Sequence, residues 1–383
     1  MILKRLKQSE NLLTRPLWER VFDEDTQAFV EYYYTEKIKD NDIYVIETDG
    51  AIRSMIHLNP YVLHVGPREV AGRYIVGVAT DILCRGQGYM TELLKKSMRD
   101  MYTAHLPFTF LMPADEKIYY PHHFRFIYAA EQWRISLCPD EETEQEIHAE
   151  PLLTNAMKAS ERAGNKIELR RAEKVDCKRM SEFAEYLLRD TCQVYAKRDR
   201  RYYERLLEEQ ISQKGGIMIA EEDDSIKGMF IYDDEAGFSV REPMTAPGYE
   251  LVFEELGIRF EKQPKKKPII MARLLHIETL LSCMVCWEEM NVKFWLVDPL
   301  IQENNKLFMI KGNCEHLVVR TKPAVKPEDD VQLISISALA SILFGYKSLE
   351  AIEKEEQETF SDEFKGEMRK LVPLQNVFLN EIV

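Results

Sequence analysis

Cysteine is sparse: seven residues among 383, an odd number scattered along the chain, which is no basis for a disulfide framework. Long apolar runs are absent as well. No stretch reaches the length that crosses a bilayer, and residues 1–22 lack the apolar segment of a secretory leader. The expectation is a cytoplasmic protein with no membrane partner. Positive charge is in deficit, with 51 Lys and Arg against 65 Asp and Glu and a net charge of −14. Nucleic-acid binding draws most of its affinity from a basic surface, so no nucleic-acid partner is expected. The acidity suits a cationic substrate, although solubility accounts for it more simply. Two phosphate signatures are also missing: G-x-x-x-x-G-K-[ST], and G-x-G-x-x-G followed by an acid some twenty residues on.

A metal signature is incomplete. Cys283 and Cys286 form one C-x-x-C, with Cys314 and His316 further on, and no second pair stands at finger spacing. Both cysteines continue the apolar pattern of Leu280 and Leu281, where cysteine serves as a small buried hydrophobe. No metal is expected.

Apolar material is plentiful. Hydrophobic residues make up 45%, enough for real cores, and the length predicts two or three domains. Residues 1–150 read as one α/β unit. It has two helical patterns between Leu13 and Glu36, and a hairpin of Ile43–Glu47 and Ala51–Leu58 about Thr48-Asp49-Gly50. Strands follow near Glu69, from Tyr74 to Thr80 and over Pro107–Met112. Residues 151–268 repeat this order: a strand after Lys166, a helix with Met180, Phe183, Ala184 and Leu187 on one face, then a hairpin of Ile217–Ala220 and Ile226–Tyr232. Lys262–Pro268 reads as a solvated link. Residues 269–383 begin with a helix over 272–285, followed by strands at Val292–Val297, Lys306–Ile310, His316–Arg320 and Val331–Ser335 and a helix capped by Ser337. The end, Leu374–Val383, is apolar, and an apolar terminus docks instead of fraying.

The stretch Tyr74–Met98 organises the first unit. A β-branched and aromatic strand leads through Arg85-Gly86-Gln87-Gly88-Tyr89-Met90 into a helix with Leu93, Leu94 and Met98 on one face. Strand, glycine turn and helix start aim unpaired N–H groups and the positive helix end at one point, which binds phosphate. Downstream, Tyr119 and Tyr120 are both placed to give a phenolic proton to a leaving thiolate, and nothing in the spacing ranks one above the other. His122 and His123 point in different directions, so at most one serves as a base.

Arg85, Gly88 and Met90 occupy the three marked positions of R-x-x-G-x-G/A, so the turn resembles the pyrophosphate turn of the GNAT N-acetyltransferases; Met90 departs from the small residue usual there. With the Ile118-Tyr119 pair, Met271-Ala272-Arg273 and the apolar terminus, the whole chain resembles the Eis-like (enhanced intracellular survival) family. That resemblance implies an α/β (α+β) fold: a catalytic GNAT domain over 1–150, a degenerate GNAT-like domain over 151–268, and a sterol-carrier-protein-like α/β domain over 269–383.

The resemblance further implies that Val78, Ala79 and Thr80 run along the pantetheine arm of acetyl coenzyme A. Arg85, Gly86, Gln87, Gly88, Tyr89 and Met90 would hold its pyrophosphate, and Pro113 and Ala114 would flank its acetyl end. Tyr119 is the implied general acid and the α-carboxylate of Val383 the implied base. An aromatic residue and a glycine are common in the family where His122 and His123 stand. A homo-oligomer, trimer or hexamer, is typical of the family. The expected activity is direct acetyl transfer to a primary amine on a polyamine, lysine or aminoglycoside-like acceptor, with Trp18, Tyr33 and Tyr34 compatible with a pocket for cations. Two other readings stand beside it: a lipid- or sterol-binding protein, and a non-catalytic scaffold that binds acetyl coenzyme A.

Overall fold

The computed structural model describes residues 1–137, 153–154, 156–158, 166–234, 238–263, 265–323, 327 and 331–381. Val383 and most of the connection at 151–165 lie outside them. The first sheet begins with β1 (Ile2–Arg5), β2 (Asp42–Thr48), β3 (Ala51–Val65) and β4 (Arg68–Thr80), all antiparallel, then β5 (Phe108–Leu111), parallel to β4. Alternation sorts its two faces. Tyr44, Ile46, Ile56 and Leu58 pack under α3 (Tyr89–Thr103), while Ile43, Val45 and Met55 pack under α1 (Arg15–Val21) and α2 (Gln27–Thr35). The β2–β3 turn has Asp49 at φ +53° and Gly50 at φ +75°, the paired left-handed residues a two-residue hairpin requires.

Later parts of the chain complete this sheet. Beyond β6 (Arg125–Ala130) come β7 (Trp133–Leu137), β8 (Glu168–Arg171) and β9 (Val194–Ala196), and β9 pairs with the end of β3. A four-stranded sheet of β8, β10 (Gly216–Glu222), β11 (Ser225–Asp233) and β12 (Ser239–Thr245) packs on α5 (Cys177–Thr191) and α6 (Arg200–Ser212), and β13 (Ile258–Lys262) pairs with β7. Then β14 (Lys267–Leu274) returns to the first sheet and lies antiparallel between β5 and β6. Met271–Leu274 is therefore strand, not the start of the helix expected over 272–285. A short apolar run has no period of its own, and the open edge of β5 decides it. The helix that follows is only Ile277–Leu281.

The C-terminal third has its own mixed sheet of β15 (Met290–Val297), β16 (Leu307–Gly312), β17 (Leu317–Lys322) and β18 (Gln332–Ser335). Ser335, two residues before the expected cap, accepts the Ala338 N–H and starts the buried helix Ile336–Leu343. Cys283 and Cys286 are buried, the Cys286 thiol donating to the Asn313 carbonyl at 3.0 Å. The tail forms β19 (Val377–Phe378), parallel to β9, and Leu379 is wholly buried. Among the described residues no helix is long and apolar enough to cross a membrane.

Candidate active site

β4 loses register with β3 opposite Ile56. Met55 faces Ala79 while His57 faces Val76, so Gly77 and Val78 together oppose one residue. Such a bulge releases backbone groups from the ladder and bends the strand. Gly77 has φ +56°, and the space a Cβ would need is filled by Trp18. β4 and β5 are in register at Tyr74–Phe110. Past that point β4 runs on through the bulge to Thr80 with no further pairing to β5. A freed N–H at Val78 is suited to polarise a carbonyl.

The turn at the end of β4 is held from behind. Asp81 takes Arg20 at 2.7 Å, Arg53 at 3.1 Å and the Leu83 N–H at 3.1 Å. Gly86 and Gly88 have φ of +75° and +77°, and a Cβ on either would meet open space. Gly88 is the N-cap of α3, and no side chain caps that helix, so its first N–H groups and dipole face outward. The exposed Arg85 donates through Nε to the Thr80 carbonyl at 3.3 Å and makes no ion pair among the described residues. Open left-handed glycines, an uncapped helix and an unpaired guanidinium are together suited to a phosphate group.

β5 leads through Pro113 and exposed Ala114 into α4 (Glu116–Tyr119), where the Asp115 side chain accepts the Lys117 N–H at 2.9 Å. Tyr119 is 8% exposed and packs edge-on against Phe124, in one apolar cluster with Leu93, Leu94, Val78, Tyr89 and Met90. Burial pushes its phenol up to about 12, so it holds its proton at neutral pH and has one to give. Tyr120, by contrast, is 37% exposed and stacks beneath Arg125. Burial pushes both His122 and His123 below their usual value, His123 to about 4, so both are neutral imidazoles. The left-handed conformation of His123, φ +64°, is the one a glycine adopts freely.

Trp18, Tyr33 and Tyr34 are buried and stacked on one another, with Trp18–Tyr33 ring centres 4.3 Å apart. They are core and form no pocket for cations, which corrects the sequence expectation. A cavity of about 340 Å³ opens instead beside Asn59 and Tyr61 of β3, with Lys37, Glu209 and Arg241 in its wall. β19 delivers Asn380 and Glu381 into it. Burial pushes the Glu381 carboxyl up to about 7, with Arg198 opposing the shift.

Sequence reading missed three of these groups. Asn41 Nδ2 donates to the Tyr33 hydroxyl at 3.1 Å, and that hydroxyl lies 3.0 Å from His57 Nδ1. His57 Nε2 is buried without a partner, and the ring's Cγ lies against the space a Cβ on Gly77 would occupy. Burial pushes His57 down to about 3. Polar Ser54, His57 and Asn59 in an otherwise apolar strand were the available signal. Lys37 and Glu381 carried none, because the topology alone brings them together.

A family model described as an acetyltransferase (GNAT) domain matches residues 3–127. No curated protein matches the sequence. Among solved structures, a probable N-acyltransferase from Enterococcus faecalis V583 aligns with TM-score 0.74 at 15% identity, covering 97% of each chain. A GCN5-related N-acetyltransferase from Anabaena variabilis gives 0.75 at 11%, covering 99% of each. Eis1 from Mycobacterium abscessus gives 0.70 at 13%, also covering 99% of each. At these identities the likeness establishes the fold over the full length. Residues 3–127, which contain the bulge, the turn and Tyr119, form a GNAT acetyltransferase domain, and through it the chain is an acyltransferase of the GNAT superfamily.

Proposed function

We propose that the chain moves an acetyl group from acetyl coenzyme A to a primary amine by direct transfer. One observation carries this reading: the Gly77–Val78 bulge and the uncapped start of α3 belong to one strand–turn–helix unit, and Val78, Tyr89 and Met90 of that unit share an apolar cluster with Tyr119. Arg85 to Met90 hold the pyrophosphate, Val78, Ala79 and Thr80 line the arm, and Pro113 and Ala114 flank the acetyl end. The Val78 N–H polarises the thioester carbonyl. As the amine nitrogen bonds to that carbon and the C–S bond breaks, Tyr119 protonates the thiolate.

The amine's own proton goes to a carboxylate, and the α-carboxylate of Val383 is our candidate. Val383 stands two residues beyond Glu381, and two residues reach at most about 7 Å. The cavity is the acceptor's place: its Asn59 lies opposite Tyr74, three residues or about 10 Å along β4 from Gly77. In the same reading, 1–150 is the catalytic unit, 151–268 a degenerate copy and 269–383 a sterol-carrier-like unit that presents the tail. The test is coenzyme A release over a panel of amines, repeated with Tyr119→Phe and with one residue added after Val383. Tight coenzyme binding without turnover on any amine would leave a scaffold. Turnover untouched by the extension would remove Val383 from the mechanism.

A further inference from the structure

We infer that the cavity beside β3 takes an amphoteric acceptor, a primary amine that also bears a carboxylate or phosphate, and not a polyamine; this rests on the acetyl-transfer reading and names its substrate class. Two cations in the wall are uncommitted. Lys37 is 7% exposed, its Nζ donates to the Tyr61 hydroxyl at 3.0 Å, and it forms no ion pair among the described residues; burial disfavours its charge, with Glu209 opposing, so a counter-ion is what it lacks. Arg241 has no ion pair there either, and its Nε is buried without a partner. The carboxylate whose field both feel, Glu209, is buried, accepts from Tyr32 at 3.3 Å, and is driven toward its neutral form by burial. The other cations are taken: Arg201 and Arg205 pair with Asp40 at 3.1 and 2.8 Å, and Arg198 with Glu242.

At the tail the charge is reversed. Glu381 accepts from the Tyr202 hydroxyl at 3.4 Å through Oε1, which also lies 3.7 Å from the Arg198 guanidinium that Glu242 engages first, while Oε2 is buried with no partner. Both amide atoms of Asn59 are buried and unpartnered as well. A second ammonium would meet Lys37 and Arg241 as like charges in a poorly solvated space. An anionic group there gives both cations a counter-ion, while the amine of the same molecule meets Glu381.

Matched pairs that differ by one carboxylate test this: lysine against 1,5-diaminopentane, and ornithine against 1,4-diaminobutane, with phosphoethanolamine against ethanolamine for the phosphate case. The expected result is a kcat/KM at least about tenfold higher for the carboxylated or phosphorylated member, equivalent to 1.4 kcal/mol. Lys37→Met and Arg241→Met should each reduce that preference, raising KM for the anionic member and lowering it for its partner diamine, with coenzyme affinity unchanged. Diamines used as well as their carboxylated partners by the parent protein would overturn the proposal. Calorimetric binding of the same pairs to the coenzyme-loaded protein reads the cavity without turnover. Preference for the anionic members there, with no acetylation of any, would sink the transferase reading and leave the cavity's specificity standing; no preference would sink the specificity itself.

Discussion

Trp18 and Gly77 meet where only one of an indole edge and a β-carbon fits: an ideal Cβ on residue 77 lies 2.4 Å from the Trp18 ring. The contact ties α1 to the bulge. Gly77→Ala adds the strain of a left-handed alanine, about 1–2 kcal/mol, to that overlap. We expect a loss of at least about 2 kcal/mol in urea unfolding and a fall in kcat larger than any change in coenzyme affinity. An unchanged midpoint would mean that the indole moves aside freely.

Tyr119→Phe removes the proposed proton donor while keeping the ring against Phe124. Turnover should fall about a hundredfold or more, with the coenzyme dissociation constant unaltered. Since the phenol titrates near 12, the parent's rate should show no alkaline fall due to Tyr119 below about pH 11. Full activity in the phenylalanine variant would transfer the acid role to solvent.

Gly88→Ala places a Cβ in the open space at the α3 N-cap and strains a residue at φ +77°. Coenzyme binding should weaken about five- to tenfold by calorimetry, with a small change in melting temperature. Equal affinity would take the turn out of the binding site.

Glu381 titrates near 7 when folded, above the usual carboxylate value of 4.5. Between those values the folded chain holds a proton that the unfolded chain has released. Its contribution to stability is therefore full below about pH 4.5 and lost as pH rises through 7, on the order of 3 kcal/mol in all. Glu381→Gln should remove that slope, read as the difference between parent and variant unfolding free energies from pH 4.5 to 8. Parallel curves would mean that Glu381 is solvated.

Arg273 and Asp298 form a wholly buried pair at 2.6 Å, and the guanidinium also donates to the His122 carbonyl at 3.1 Å. Arg273→Met leaves the Asp298 carboxylate charged and should cost about 3–5 kcal/mol. Adding Asp298→Asn should recover a large part of the loss in chemical denaturation. A double variant no better than the single would show that the guanidinium's packing, and not its charge, is what matters.

Legibility followed how local each determinant is. The hairpin at Asp49–Gly50 and the Tyr74–Met98 unit were readable because positive φ, alternation and helical spacing are properties of adjacent residues. The docked tail was readable because Leu374, Val377 and Leu379 are apolar where tails are not. Ala272–Leu274 was misread because so short a segment suits helix and strand alike, and a distant strand settles the matter. Ser335 and Ser337 offered the same cap two residues apart, with one isoleucine between them. The cavity was invisible: Lys37, Asn59, Arg241 and Glu381 are separated by most of the chain.

The place of β14 between β5 and β6 sets a timetable. Translation finishes the Arg85–Met90 turn early, yet the first sheet lacks a central strand until Leu274 has left the ribosome, and the cavity beside β3 waits for Glu381. During synthesis β5 stands as an unpaired edge over more than a hundred and fifty residues of growing chain, open to other strands. A stop codon between Met90 and Lys267 yields a chain that encodes the turn and lacks the strand that closes the sheet. Closure of the first sheet is thus a property of a chain that reaches at least Leu274, and a fragment that ends sooner leaves β5 and β6 without the strand that joins them.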